Sequence, residues 1–119
     1  MEKVITIDGK DIKCRCSAAT YIKYRSVFKE DLFTELQKMA SQIGDDGAIP
    51  EGALATLFQA AYIMALQGDP KLKVDFETWI DQFDLIGSIQ GVQEIYPLLL
   101  GDHETIEEPK KKEEQQSAV

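Results

Sequence analysis

The sequence predicts a mainly α domain of the α+β kind: an N-terminal β-hairpin, a compact bundle of about five helices, and a disordered acidic C-terminal tail. Three observations predict it. Residues 3–16 alternate apolar and polar around an Asp8-Gly9 pair, the pattern of two strands joined by a two-residue turn. From residue 20 to residue 100 the apolar positions recur at three- and four-residue spacing, which is helical. Beyond Gly101 that periodicity stops and charged residues take over. A chain of 119 residues with 44% hydrophobic content fits one globular domain, read here as residues 1–101, followed by a tail over 102–119.

In the hairpin, Ile5 and Ile7 face one side and Ile12, Cys14 and Cys16 supply the facing apolar row. Lys3, Thr6, Lys13 and Arg15 look to water. A lone hairpin is marginal, so it must lie on helices or on another subunit. Cys14 and Cys16 share a strand face. Two thiols fall short of the roughly four ligands of a zinc site, and the sole histidine, His103, sits in the tail. The pair reads as reduced, packed thiols behaving as small hydrophobes.

Thr20 is placed to cap a first helix over 21–28, with Tyr21, Tyr24 and Phe28 inward. Asp31 caps a second helix running to Ile43. Its stripe is Leu32, Leu36, Met39 and Ile43, with Phe33 and Ala40 alongside. Gly44 to Pro50 forms a loop, and Pro50 or Glu51 opens the third helix. That helix, over 51–67, is apolar nearly all round; between Ala53 and Leu66 only Thr56 and Gln59 are polar, as expected of the central helix of a core. Gly68 supplies its C-terminal cap. Asp75 caps a fourth helix over 76–84, where Phe76, Trp79, Ile80 and Phe83 fall at i, i+3, i+4 and i+7 on one face. Gly87-Ser88 breaks the pattern. Ser88 caps a last helix over 88–100, with Ile89, Val92, Ile95, Tyr96 and Leu99 inward; Gly91 weakens it, and Pro97 kinks or ends it. The segment from Glu107 to Gln116 has no aromatic residue and no periodicity, and it cannot bury enough surface to offset its ordering entropy.

Little in the sequence speaks for catalysis. There is no glycine-rich phosphate loop and no nucleophile with a base partner. Asp81 and Asp84 lie one turn apart, but acid–base work requires burial and shifted pKa values; they read as solvated helix charges. Asp45-Asp46-Gly47 lacks the oxygen ligands and closing Glu of a calcium loop and reads as a turn. No catalytic residue, metal ligand or cofactor site is assigned. The net charge of −8 argues against nucleic acid, since phosphate binding needs a basic stripe and only Lys110-Lys111-Lys112 offers one, flanked by glutamates. No apolar run reaches about 18 residues, so no membrane span is expected. Met1-Glu2-Lys3 leads straight into a strand pattern without a signal peptide, which points to the cytoplasm.

The aromatic stripe of Phe76, Trp79 and Phe83 admits two readings. One is core packing. The other is a partly exposed anchor for a partner helix, because Trp and Tyr dominate hot spots. Tyr62, Met64 and Leu66 on the third helix pose the same choice, Met being favoured at adaptable surfaces. These six are the candidate partner-binding residues.

Taken in order, the segments resemble a known family. A hairpin with Asp-Gly at its turn comes first. Ser17-Ala18-Ala19-Thr20-Tyr21-Ile22-Lys23-Tyr24-Arg25 is similar to the family's A-A-T-x-x-x-Y-R opening of the first helix. Phe28-Lys29-Glu30-Asp31-Leu32-Phe33-Thr34-Glu35-Leu36 follows, then Ala61-Tyr62-Ile63-Met64-Ala65, Trp79-Ile80-Asp81-Gln82-Phe83 and a short last helix containing Pro97. The family is the tail assembly chaperones of long-tailed phages and prophages of Gram-positive bacteria. The resemblance spans residues 3 to 100 and lies in the ordered set rather than in one motif. Gly91 and the Cys14/Cys16 pair are not family features.

The resemblance implies a protein that coats the tape measure protein, keeps it soluble and helps recruit tail tube subunits. It implies action in the host bacterial cytoplasm and absence from the mature virion. It further implies a homo-oligomer, and a second, longer form made by programmed frameshift near the end of the short reading frame, through which the tail tube protein would be reached. Ile5, Ile7, Ile12 and Cys14 on the hairpin are the candidate self-association residues, since pairing there would cover an open strand edge. Pro109-Lys110-Lys111-Lys112, with adenine-rich lysine codons, is the candidate slippery site; the alternative is a solvated charged tail. The alternative to the chaperone is another small phage morphogenesis protein, such as a head–tail connector, which stays in the virion.

Overall fold

A computed structural model describes residues 2–43, 50 and 52–100. The tail over 102–119, the Asp45-Asp46-Gly47 turn, a helix opening at Glu51, and His103 lie outside them. Strands β1 (Glu2–Ile7) and β2 (Lys10–Arg15) pair antiparallel. The helices are α1 (Ala18–Phe28), α2 (Leu32–Gln42), α3 (Ala53–Gly68), α4 (Phe76–Ile80), α5 (Leu85–Gln93) and α6 (Ile95–Leu99). The hairpin-then-helices architecture is therefore the expected one, with the predicted last helix broken into α5 and α6.

At the hairpin tip Asp8 (φ 52°) and Gly9 (φ 76°) are both left-handed, as a type I′ turn requires. Ile5 pairs with Ile12 and Lys3 with Cys14. Ile5, Ile7, Cys14 and Cys16 are buried, against helices of the same chain: β2 lies on α3, and β1 on α5. The apolar face that a hairpin must cover is thus covered internally.

Helix α3 is the central element, touched by β2 and by every other helix. Leu57, Ile63 and Met64 on it have no solvent exposure. Its polar positions are spent on α1. Tyr24 donates its hydroxyl to Gln59 Oε1 at 2.7 Å, and Thr20 donates to Gln67 Oε1 at 2.6 Å. These bonds satisfy groups that burial would otherwise leave unpaired and fix the register of the two helices. Tyr62 donates its hydroxyl to the Val74 carbonyl, tying down the segment before α4.

Several boundaries differ from the sequence reading. Helix α1 starts three residues earlier because Ser17, not Thr20, is its N-cap. Ser17 Oγ accepts the Ala19 N–H at 3.2 Å, while Thr20 Oγ1 accepts the Ser17 N–H at 2.9 Å; Thr20 is the returning arm of a capping box. On α2, Asp31 caps as expected, accepting from the Phe33 N–H and the Thr34 hydroxyl. Leu32, Leu36 and Met39 are buried and Ile43 is half-buried, but Phe33 and Ala40 face solvent. Helix α3 opens at Ala53, with Gly52 at its N-cap. Helix α4 ends at Ile80 because Asp84 belongs to the next helix: its Oδ2 accepts the Gly87 N–H at 3.3 Å. So α5 begins at Leu85, and Ser88 is buried inside it, its hydroxyl donating to the Leu85 carbonyl. Pro97 has no N–H for the Gln93 carbonyl and its ring would collide with it, and α5 stops at Gln93. Leu98, absent from the expected stripe, is buried, whereas Ile89 is only half so.

Two glycines read as a breaker and a cap are packing notches. A Cβ on Gly91 would lie 2.1 Å from the Thr6 carbonyl oxygen, and one on Gly68 would lie 2.2 Å from that of Lys13. In a two-residue hairpin, Thr6 and Lys13 turn their backbone groups outward from the ladder. Each strand edge is therefore abutted by a helix backbone at one point, which only glycine permits. Gly68 is the last residue of α3, and Asp69 takes the C-cap position.

Candidate interaction surface

The aromatic residues singled out in the sequence form one continuous ladder. Phe28 of α1 meets Tyr24 at 5.1 Å and Phe76 at 5.3 Å between ring centroids. Tyr62 of α3 meets Phe76 at 5.5 Å and Trp79 at 5.6 Å, and Trp79 meets Phe83 at 5.0 Å. The tilted and edge-on geometries are the favourable ones for ring quadrupoles. Trp79 is 3% exposed, Tyr62 and Met64 are buried, and Leu66, Phe76 and Phe83 are half-buried. The ladder is the seam by which α4 is held on α3 and α1. Of the six partner-binding candidates, only Leu66, Phe76 and Phe83 present any considerable surface.

Around this seam the hairpin tip is pinned to the α4–α5 connection. Asp8 Oδ2 accepts the Asp84 N–H at 2.9 Å, and Lys10 lays its ammonium over the Phe83 ring at 5.7 Å. Asp75, the N-cap of α4, accepts the Thr78 N–H at 2.8 Å. The Thr78 hydroxyl and N–H together hold the Asp75 carboxyl below its usual range. An open cavity of about 310 Å³ lies between β2, the end of α3 and α4, walled by Ile12, Ala65, Leu72 and Trp79 with Asp11, Lys13, Asp69 and Gln82 at its rim. Its polar lining residues, Asp11, Lys13, Asp69 and Gln82, are all exposed.

The four self-association candidates are used within the chain. Ile5, Ile7 and Cys14 have no exposure, and Ile12 is half-buried beside the cavity. What the hairpin shows to solvent is its other face, where Glu2 and Arg15 pair loosely at 3.9 Å, Thr6 donates to Asp11, and Val4 stands exposed. Cys14 and Cys16 are buried without a disulfide between them. Burial first, and the neighbouring Cys16 second, push the Cys14 thiol up to about 12. Cys16 donates to the Leu98 carbonyl at 3.9 Å. Thiols so placed are poor nucleophiles and poor metal ligands. Among the described residues no three His, Cys, Asp or Glu side chains converge to hold a metal, and no helix is long and apolar enough to cross a membrane. Asp81 and Asp84 are exposed.

The most exposed apolar side chains are elsewhere, at positions the stripes passed over except for Phe33, which was set alongside the α2 stripe. Ile86 is 77% exposed, Ile22 72%, Leu85 60% and Phe33 57%. Ile22 was legible as an apolar residue off the Tyr21-Tyr24-Phe28 face. Leu85 and Ile86 became helix-surface residues only once Asp84 was seen to be a cap.

No family model, no curated protein and no solved structure matches the chain.

Proposed function

We propose that the chain is a phage tail assembly chaperone, which holds the tape measure protein soluble in the host cytoplasm and delivers it to tail tube subunits without entering the virion. The observation that carries the reading is the ordered set of segments from the Asp8-Gly9 turn to the Pro97-interrupted last helix. Two features of the molecule support it. Asp31, Asp75 and Asp84 cap helices, and Cys14 and Cys16 pack in the core, as in a body built to pack and hold. The surface also offers single large apolar side chains, Ile22, Phe33, Leu85 and Ile86, on an acidic protein. A holdase for an apolar helical client needs such contacts, and net negative charge keeps the loaded complex in solution.

The test is co-expression with the tape measure protein of the same phage. The chain should shift that protein from the pellet to the supernatant and co-purify with it, and should be missing from purified particles. Recovery of the chain in stoichiometric amounts from mature virions would favour the connector reading instead.

A further inference from the structure

Among the described residues, every element of the fold but one is fastened to another by a polar side-chain bond, made either within the element or in the two residues flanking it; α4 is tied in this way through Val74 and Gln82. Helix α1 is tied to α3 by Tyr24–Gln59 and Thr20–Gln67, and to α6 by the Tyr21 hydroxyl donating to the Leu99 carbonyl at 2.9 Å. The hairpin is tied to the start of α5 through Asp8–Asp84, and β2 is followed by Cys16, which reaches the Leu98 carbonyl. Tyr62 ties α3 to Val74. Helix α2 is the exception. Among the described residues all its polar bonds are its own: Asp31 with Phe33 and Thr34, Glu35 with Lys38 at 3.3 Å, and Ser41 donating to the Lys38 carbonyl at 2.8 Å. It is held on α1 and α3 only by its stripe, Leu32, Leu36 and Met39. An open cavity of about 180 Å³ lies beside its C-terminal half, lined by Met39 and Gln42 and by Ala53 and Thr56 of α3.

The consequence is energetic. Lifting α1 would orphan Tyr24, Gln59, Thr20 and Gln67, and unmade buried polar bonds are expensive. Among the described residues, lifting α2 orphans no polar group, because its caps travel with it. The cost there is exposed apolar surface on both sides, and a second helix presenting the same stripe would cover it again.

We infer that the groove beneath α2 is a binding site for an amphipathic helix of a partner, with Leu- or Met-sized residues at i, i+4 and i+7, and that α2 is its resident stand-in. The inference rests on the chaperone reading for the identity of the guest, an apolar helical client; the groove stands on the packing. Helix-in-groove recognition is read through such i, i+4, i+7 anchors. Displacement is by mass action: the guest competes with a tethered helix, so the wild-type chain holds the groove closed until a helix-rich client supplies many copies of the stripe.

Two measurements on the full chain test it. In hydrogen exchange of the wild type, α2 amides should exchange about 100-fold or more faster than those of α3 in residues 57–65, as a separately opening unit does. Equal rates in the two helices would overturn the proposal. The second uses a fluorescein-labelled peptide of residues 31–43 as the guest. Leu36→Asp, which weakens the resident helix, should raise the peptide's affinity by about tenfold or more over wild type, with native Trp79 emission. A peptide itself carrying Leu36→Asp should not bind. Equal binding to wild type and variant, or none to either, would overturn the groove. If Leu36→Asp loses native Trp79 emission, Leu36→Ala takes its place under the same criteria. The readout contains no phage protein. Peptide capture without tape measure solubilisation would retain the groove and remove the chaperone reading; the reverse would do the opposite.

Discussion

Trp79 is a buried link of the aromatic ladder. It contacts Tyr62 and Phe83 and is 3% exposed. Removing a buried Trp leaves a cavity as well as lost transfer energy, so Trp79→Ala should cost about 3–5 kcal/mol, a large share of the stability of a domain this size. Urea melts followed by far-UV dichroism check it; a loss under about 1 kcal/mol would place the indole outside the core. Cys14 contributes to alkaline behaviour. Its folded pKa, about 12, lies above the ordinary thiol value of 9.0. The protonated form is the one the fold accommodates, so stability is unaffected below about pH 9 and falls as pH rises towards 12. Tyr24, also pushed up to about 12 chiefly by burial, acts in the same direction. Stability measured at pH 8 and at pH 11 should drop for wild type, and the drop should be smaller in Cys14→Ala. An unchanged difference would remove the thiol from the account.

The elements show where the sequence was legible and where it was not. Helix α3 and the hairpin tip were, because a nearly all-apolar run and an Asp-Gly turn each have one economical explanation. The last two helices were not. Glycine and serine at 87 and 88 look like a break to a reader who sees propensity alone, yet Asp84 had already started the helix. Gly91 looks like a weak point, yet it is where α5 closes on Thr6. A packing notch leaves no local signal, since its cause is a backbone distant in sequence. The partner-binding candidates failed to separate for a related reason: periodicity finds the face that is apolar, and the same stripe serves a core or an anchor. Gly91→Ala discriminates sharply. Helix propensity alone would make it stabilising by about 1 kcal/mol. Contact with the Thr6 carbonyl should instead make it destabilising by about 1–3 kcal/mol, as overpacking is, while exposed Gln90→Ala one position earlier should be near neutral. A stabilised Gly91→Ala protein would mean that α5 does not approach β1 so closely.

On the scale of the whole molecule, the chain divides its apolar residues between a core built around α3 and a scattering of exposed side chains. Among the described residues it divides its polar bonds so that α2 is held on the rest by burial alone. Under the proposed function that division suits a chain that holds another and lets it go: the helix held by burial alone is the one that can open. The acidic composition, −8 over 119 residues, would add solubility to the loaded complex that the proposed function requires. The most direct test is the solubility of the tape measure protein co-expressed with and without this chain, read by centrifugation and by size-exclusion chromatography of the supernatant. The account predicts that the tape measure protein is insoluble alone and, in the presence of the chain, elutes as a soluble complex containing both. A tape measure protein that stays in the pellet with the chain present, while the chain itself is folded and soluble, would contradict it.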